Sequence, residues 1–200
     1  MDRENTEIIQ IFKKNNGYAR TKEILGKGIH HRKIKAMVKS GKIIKVKRGL
    51  YKLPSVDIVS NQSFVDVSRA VPEGVICLLS ALSFYELTTF IPQVVSMAIY
   101  RKAWRPQIDY PPVEFYYFSR KQFQSGIDQI KIKRQEVRIY CPEKTICDCF
   151  RYRNKLGMDI AREGLNEYLK REKRDLDKLL KFADICRVKP LLRTWLEAKI

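Results

Sequence analysis

Between Ser40 and Pro54 the chain alternates apolar and basic residues around a central glycine, a pattern that few folds accommodate. Ile43–Lys47 and Leu50–Leu53 read as two short strands closed by an Arg48-Gly49 turn. Ile44, Val46 and Leu50 turn one way, while Lys45, Lys47, Arg48 and Lys52 crowd the other side and the tip. A period of two needs one face to pack and leaves the other to water, and here the wet face is almost wholly cationic. The stretch just before it reads as a helix from His30 to Ser40. Ile34, Met37 and Val38 recur at i, i+3 and i+4 as its core stripe. Arg32, Lys35, Ala36 and Lys39 fall on the opposite side, with His31 at the margin, and small Ala36 leaves room for a backbone or a base edge. No acidic residue occurs between Ile24 and Ser55. A basic helix followed by a basic hairpin is the outline of a winged helix-turn-helix, in which a helix enters the major groove of DNA and the hairpin rides on the backbone or the minor groove.

The residues further upstream fit that outline. Ile8, Ile9, Ile11 and Phe12 form one side of a helix over residues 6–15, with Thr6 or Asn5 as its cap and Asn15-Asn16-Gly17 as its end. Tyr18-Ala19-Arg20 is a short connector able to bridge to the hairpin sheet. A brief helix over Thr21–Leu25 and a Gly26-Lys27-Gly28 turn follow, with Ile29 as an apolar anchor. The expected first domain is therefore residues 1–54. Its expected DNA-binding residues are His31, Arg32, Lys35 and Lys39 on the helix and Lys45, Lys47, Arg48 and Lys52 on the hairpin. Arg32 is placed for bidentate guanine readout, the hairpin cations for phosphates, and Arg48 for the minor groove. His30 and His31 either touch bases or merely begin the helix.

Charge supports a polyanionic partner. The 200 residues carry a formal net charge of +18. Residues 1–53 hold 15 Lys/Arg and 4 Asp/Glu, whereas residues 54–200 hold 25 and 18. The cationic excess per residue is thus several-fold greater in the first quarter, as an electrostatic footprint for nucleic acid requires. No long amphipathic helix with a bulky aromatic face accompanies it, so a membrane surface is not the expected partner. Met1-Asp2-Arg3-Glu4-Asn5 does not open a secretory leader, and the uncharged stretch Gly74–Tyr85 is too short to span a bilayer. Five cysteines, an odd number in apolar or helical surroundings, suit a reducing cytoplasm. Cys141, Cys147 and Cys149 lack a zinc-knuckle spacing, and on a helix Cys147 and Cys149 point about 200° apart, so neither metal nor cofactor is expected.

Composition changes at Pro54. Residues 54–62 read as a linker, Phe64–Val71 as a short helix and Ile76–Leu87 as an apolar helix. Val94–Tyr100, Val113–Phe118 and Val137–Tyr140 are strands, with Ile130–Lys133 extending the last or forming an edge. From Pro142 the chain is helical, with stripes at Ile146/Cys149/Phe150, Met158/Ala161/Leu165/Tyr168/Leu169, Leu176/Leu179/Leu180 and Leu191/Leu192/Trp195/Leu196. The expected class is α+β: a winged helix-turn-helix followed, over residues 55–200, by a mixed α/β domain with a helical C-terminal part. Two other functions are open to this second part. Asp109, Glu114 and Glu136 with Lys121 or Lys131 could form the acid cluster of a metal-dependent nuclease, although their spacing matches no compact motif. Phe115-Tyr116-Tyr117-Phe118 could line the ligand pocket of a stand-alone transcriptional regulator. No residue is assigned a catalytic role. Arg151, Arg153, Lys155 and the run Lys170-Arg171-Glu172-Lys173-Arg174 form a further basic surface, either solvated or in contact with nucleic acid.

Three passages resemble the AbiEi family of antitoxins from type IV toxin–antitoxin systems. The first is Gly41–Pro54, with its Arg48-Gly49-Leu50-Tyr51 wing and closing proline. The second is Leu79–Thr88, an opening helix of the second domain. The third and most specific is Cys141–Gly157, with Pro142-Glu143-Lys144-Thr145 at its start and Tyr152-Arg153-Asn154-Lys155 at its exit. The likeness runs from about residue 6 to 170. It implies a two-domain bacterial protein, not an enzyme, encoded beside a nucleotidyltransferase-like toxin. Its first domain would repress the shared promoter at inverted repeats, and its second would counter the toxin without a stable complex.

Overall fold

The computed structural model describes residues 3–54, 61–132 and 135–197. The chain divides into two units, one of Met1–Pro72 with Pro106–Pro112 and one of Glu73–Arg105 with Val113–Ile200. Residues 55–60, the bulk of the expected linker, lie outside the described residues.

The first unit begins with helix α1 (Arg3–Lys14), which starts ahead of both expected caps. Asn16 and Gly17 then take positive φ and turn the chain into strand β1 (Tyr18–Arg20). Helices α2 (Thr21–Leu25) and α3 (His31–Lys39) lead to strands β2 (Ile44–Lys47) and β3 (Leu50–Lys52), and helix α4 (Gln62–Ala70) closes the unit. Ile8, Phe12, Ile24, Ile34 and Met37 from the first three helices pack with Ile29, Ile43 and Tyr51 in one apolar cluster. Each such side chain contributes roughly 1.5–3 kcal/mol on burial. His30 caps α3, its ring Nδ1 accepting the Arg32 backbone N–H at 3.2 Å, which settles that histidine as a helix start.

The three strands form an antiparallel sheet in the order β1-β3-β2, so the Tyr18-Ala19-Arg20 connector does bridge to the hairpin. The simple alternation expected of the hairpin does not hold. Lys45 faces Tyr51 and Lys47 faces Leu50, so Val46 is an extra residue, a bulge that breaks the period of two. The face expected to be wet is covered. Asp66 of α4, 1% exposed, receives the Lys52 ammonium at 2.5 Å on one oxygen and the Tyr18 hydroxyl at 2.5 Å on the other. Gln62 adds a hydrogen bond to the Tyr18 oxygen, and Arg69 lies 4.4 Å over the Tyr18 ring. Lys52 is therefore a buried structural charge, a correction to its expected place among exposed cations. For the same reason the unit reaches Pro72, beyond the boundary expected at residue 54: α4 supplies the counter-charge that the inward lysine needs. Residues 106–112 return to the same sheet, where the Asp109 and Tyr110 N–H groups donate to the Val46 carbonyl at 2.8 and 3.2 Å and occupy the bulge.

The second unit is built on a mixed five-stranded sheet. Strand β4 (Val75–Ile76), helix α5 (Leu78–Phe84), strands β5 (Val95–Tyr100) and β6 (Val113–Phe118), helix α6 (Arg120–Gln124) and strands β7 (Ile127–Ile132) and β8 (Gln135–Tyr140) come first. Helices α7 (Pro142–Arg151), α8 (Arg153–Leu156), α9 (Met158–Leu169), α10 (Leu176–Cys186) and α11 (Lys189–Glu197) complete it. The strand order is β6-β5-β4-β8-β7, with β5–β6 and β4–β8 parallel and the other pairs antiparallel. β4 departs from expectation, since Ile76 read as the first residue of a helix. Ile76 instead pairs with Met97 and Ile139, and the helix begins only at Leu78, which takes φ +47°. A short apolar run does not distinguish a buried strand from a buried helix turn.

Helix α7 is the centre of this unit, and its first turns bury charge. Lys144 and Asp148, both 0% exposed, pair at 2.5 Å, one helical turn apart. The Lys144 ammonium lies 4.2 Å from the Tyr140 ring centroid and 4.9 Å from that of Phe118. Burial opposes the ammonium, but the Asp148 carboxylate overrides it and holds the lysine above its ordinary value. Cys186 donates its thiol hydrogen to the other Asp148 oxygen at 3.2 Å. Glu143 accepts from the Tyr168 hydroxyl at 2.8 Å and pairs with Lys178 at 2.9 Å. Thr145 donates to the Tyr140 carbonyl at 3.2 Å. Gly126 lets the chain pass closely here: at φ +71°, an added Cβ would come within 2.8 Å of the Lys144 Cβ.

These two buried pairs set the cost of removing either partner. Lys52→Ala strands the Asp66 carboxylate in the interior and should destabilise the first unit by about 3–5 kcal/mol, measured as an earlier urea transition by circular dichroism. Lys144→Met should cost a similar amount. The double change Lys144→Met/Asp148→Leu should recover most of it, because exchanging a whole buried pair for apolar groups is often close to neutral. A double variant no more stable than Lys144→Met would show that the ion pair is indispensable.

Candidate nucleic-acid interface

Helix α3 and the β2–β3 hairpin enclose a trough of about 810 Å³ within the first unit. His31, Lys35, Val38 and Lys39 line it from the helix, and Lys45, Arg48, Gly49 and Tyr51 from the hairpin. Thr21 closes one end at the start of α2. The lining holds four permanent cations and no acid. The apolar stripe of Ile34 and Met37 fixes the rotation of α3, burying both at 1–3% exposure and turning His31, Lys35 and Lys39 toward the hairpin. The hairpin tip is held as well. The Thr21 N–H donates to the Gly49 carbonyl at 3.0 Å, and Gly49 takes φ +80°, a conformation that other L-residues adopt only under strain.

The eight expected site residues separate into three groups. His31, Lys35, Lys39, Lys45 and Arg48 meet in the trough. Arg32 is exposed near the start of α3 and is not part of the trough lining. Lys47 and Lys52 turn away. Lys47 donates to the Ala70 carbonyl at 2.5 Å, at the C-terminus of α4 where a cation complements the helix dipole. Desolvation, with Arg20 nearby, pulls its pKa below the ordinary lysine value. Lys52 is in the buried pair with Asp66. Lys45 is intermediate, since its ammonium pairs with Asp109 at 3.2 Å with both side chains well exposed. A pair of that kind is worth about 0–1 kcal/mol, so Lys45 can exchange Asp109 for a phosphate at little cost. Thr21 and Tyr51 are part of the lining but were not readable as such, because Thr21 reaches the hairpin through its long-range backbone bond to Gly49 and Tyr51 reads as an ordinary strand aromatic.

The second unit does not gather the acids of the nuclease alternative. Asp109 belongs to the first unit. Glu114 on β6 pairs with Lys155 at 2.7 Å and accepts from the Tyr116 hydroxyl at 2.6 Å, contacts that hold its pKa down against the opposing effect of burial. Glu136 lies on β8, three strand spacings from β6, about 14 Å. Among the described residues no group of three or more His, Cys, Asp or Glu is arranged to hold a metal ion. The aromatic strand packs rather than lining a pocket. Tyr116 and Phe118 are buried against Tyr152, with ring centroids at 5.2 and 5.6 Å, and Tyr117 is exposed. All five cysteines are free and buried, and burial pushes their thiols up, that of Cys141 to about 12. No described helix is long and apolar enough to cross a membrane.

A family model described as "Transcriptional regulator, AbiEi antitoxin" matches residues 7–54, the stretch from α1 through β3. Comparison with curated proteins gives no match. The similarity thus covers the three helices and the hairpin that build the trough, and stops short of α4.

A polyanion held in a trough of this charge would bind through counterion release, and its affinity would fall linearly on a logarithmic salt scale. On a heparin column, Lys35→Ala/Arg48→Ala should elute at clearly lower salt than the unaltered protein, and Lys47→Ala should be nearly unshifted. A reversed order would place the binding face on the α4 side of the sheet.

Proposed function

We propose that the first unit is a winged helix-turn-helix that binds duplex operator DNA, and that the protein is an autoregulating antitoxin. The observation that carries this reading is the acid-free trough shared by α3 and the hairpin. In that arrangement α3 enters the major groove with Arg32, Lys35 and Lys39 toward the bases and their flanking phosphates. Arg48 at the tip reaches the adjacent backbone or minor groove, and Lys45 leaves Asp109 for a phosphate. Lys47 and Lys52 hold the hairpin against α4. The similarity of residues 7–54 to antitoxin regulators supports repression of the protein's own operon through inverted repeats. Five buried thiols, none in a disulfide, suit a reducing cytoplasm.

The second unit then carries the antitoxic role against a nucleotidyltransferase-like toxin encoded alongside, with no stable complex required. Its support is the likeness of Leu79–Thr88 and Cys141–Gly157 to the antitoxin family. The plain alternative is a regulator without a toxin. The two differ in what the chain does once its DNA contacts are removed.

The triple variant Arg32→Ala/Lys35→Ala/Arg48→Ala changes only exposed side chains, so it should keep its circular dichroism spectrum. It should no longer retard its own upstream DNA in a gel, and unchanged retardation would refute the groove assignment. The same variant should still protect cells from the product of the neighbouring gene. A folded triple variant that loses both properties would identify the protein as a repressor alone.

A further inference from the structure

Trp104 is 95% exposed, the most exposed large apolar side chain among the described residues. It stands in the second unit on the turn after β5, in the sequence Arg101-Lys102-Ala103-Trp104-Arg105. The turn is anchored. The Arg101 N–H donates to the Phe118 carbonyl at 2.9 Å, and the Ala103 N–H donates to the Tyr100 carbonyl at 2.8 Å. Because β5 and β6 are parallel and in register from Val95/Val113 to Tyr100/Phe118, the residues after both strands leave the sheet at the same end. Arg120 and Lys121, just beyond β6, therefore lie at the same end as Arg101 and Lys102. All four are exposed and none makes an ion pair with another described residue. No acid occurs in residues 87–108 or 115–127. Tyr117, 45% exposed on the edge strand β6, adds a second aromatic face near this end.

We propose that this end of the sheet binds an unpaired nucleic-acid strand, with Trp104 stacking on a base and Arg101, Lys102, Arg120 and Lys121 holding the flanking phosphates. An indole standing almost wholly in solvent offers a large flat apolar face that a ligand can cover. A base covers such a ring face to face. Stacking platforms interleaved with cations are how proteins bind single strands without reading their sequence. A duplex fits poorly, because its bases are already stacked and a single ring on a short turn cannot enter a groove as a helix does. A membrane surface fits poorly as well, because Trp104 is flanked by Ala103 and cations and lacks further bulky apolar neighbours in its turn. This site is separate from the trough in the first unit and does not depend on the reading given to it.

The test uses the full chain carrying Lys35→Ala/Arg48→Ala, so that the trough is weakened. Fluorescence anisotropy is read with labelled twelve-nucleotide oligouridylate, oligothymidylate and a twelve-base-pair duplex. The expected result is that one or both single strands bind more tightly than the duplex. Trp104→Ala should weaken that binding at least about tenfold, and Trp104→Phe should retain most of it. Arg101→Ala/Lys102→Ala/Arg120→Ala should flatten the salt dependence, by about 0.7 in slope for each phosphate no longer neutralised. Stronger binding by oligouridylate marks RNA as the source, and equal binding marks any single strand. The proposal is overturned if neither oligonucleotide binds, if the duplex binds best, or if Trp104→Ala leaves affinity unchanged. It is also overturned if the Trp104-dependent partner proves to be anionic lipid vesicles. Trp104 lies almost wholly in solvent, so none of its variants should disturb folding.

Discussion

Asp66 is a carboxylate with almost no access to water, and the geometry of the first unit depends on how its charge is met. Lys52 from β3 and the Tyr18 hydroxyl from β1 converge on it, so one side chain of α4 ties together the edge and central strands of the sheet. A buried charge left alone would cost several kcal/mol, which couples formation of the strands to that of α4. The same contact decides which hairpin cations are available outside. It withdraws Lys52, and the C-terminus of α4 engages Lys47. What remains on the α3 side is Lys45 and Arg48, opposite Lys35 and Lys39. The cationic face on the α3 side is thus defined as much by the cations that α4 removes as by those the helix presents.

The second unit uses the same device deeper in its core. Lys144 and Asp148 sit side by side under the Tyr140 and Phe118 rings, and the charge pair replaces what in most cores would be two apolar side chains. Such a pair adds little net stability over a hydrophobic exchange, but it penalises any packing that separates the partners. Pro142-Glu143-Lys144-Thr145 is therefore an architectural passage. Its proline starts α7, its glutamate ties α7 to α9 and α10 through Tyr168 and Lys178, its lysine faces inward to Asp148, and its threonine holds the preceding strand. A run of Glu, Lys and Thr resembles reactive chemistry, yet every one of those groups is occupied by a neighbour.

Much of this was legible in the sequence, and the exceptions share one cause. The helices with clear stripes, α3, α7, α9 and α10, fall where the apolar spacing puts them. The strands β5, β6 and β8 match their β-branched and aromatic runs to within two residues. Position on a face was harder. Lys52 reads as a solvent cation because nothing local reveals that an aspartate fourteen residues later will cover it. Val46 reads as one beat of an alternation because a bulge leaves no mark in composition. Lys45 reads as free, although Asp109, sixty-four residues away, returns to pair with it. Periodicity reports how a segment is coiled; it does not report what packs on its second face, and in this chain long-range charge pairs decide that.

The same distinction bears on the net charge of +18. A formal excess counts Lys52 and Lys144 as though they faced solvent, but both are neutralised inside the protein and contribute little field beyond it. The cations that act at a distance are those with neither a buried partner nor a strong surface one. In the first unit these include Arg32, Lys35, Lys39 and Arg48, beside a trough with no acid in its lining. In the second they include Arg101, Lys102, Arg120 and Lys121, around an exposed tryptophan and again without an acid in the flanking segments. A purely solubilising surface intersperses acids with its bases to limit self-repulsion. Two such concentrations, one around the trough and one around the exposed tryptophan, are what anionic ligands supplying the missing negative charge would account for.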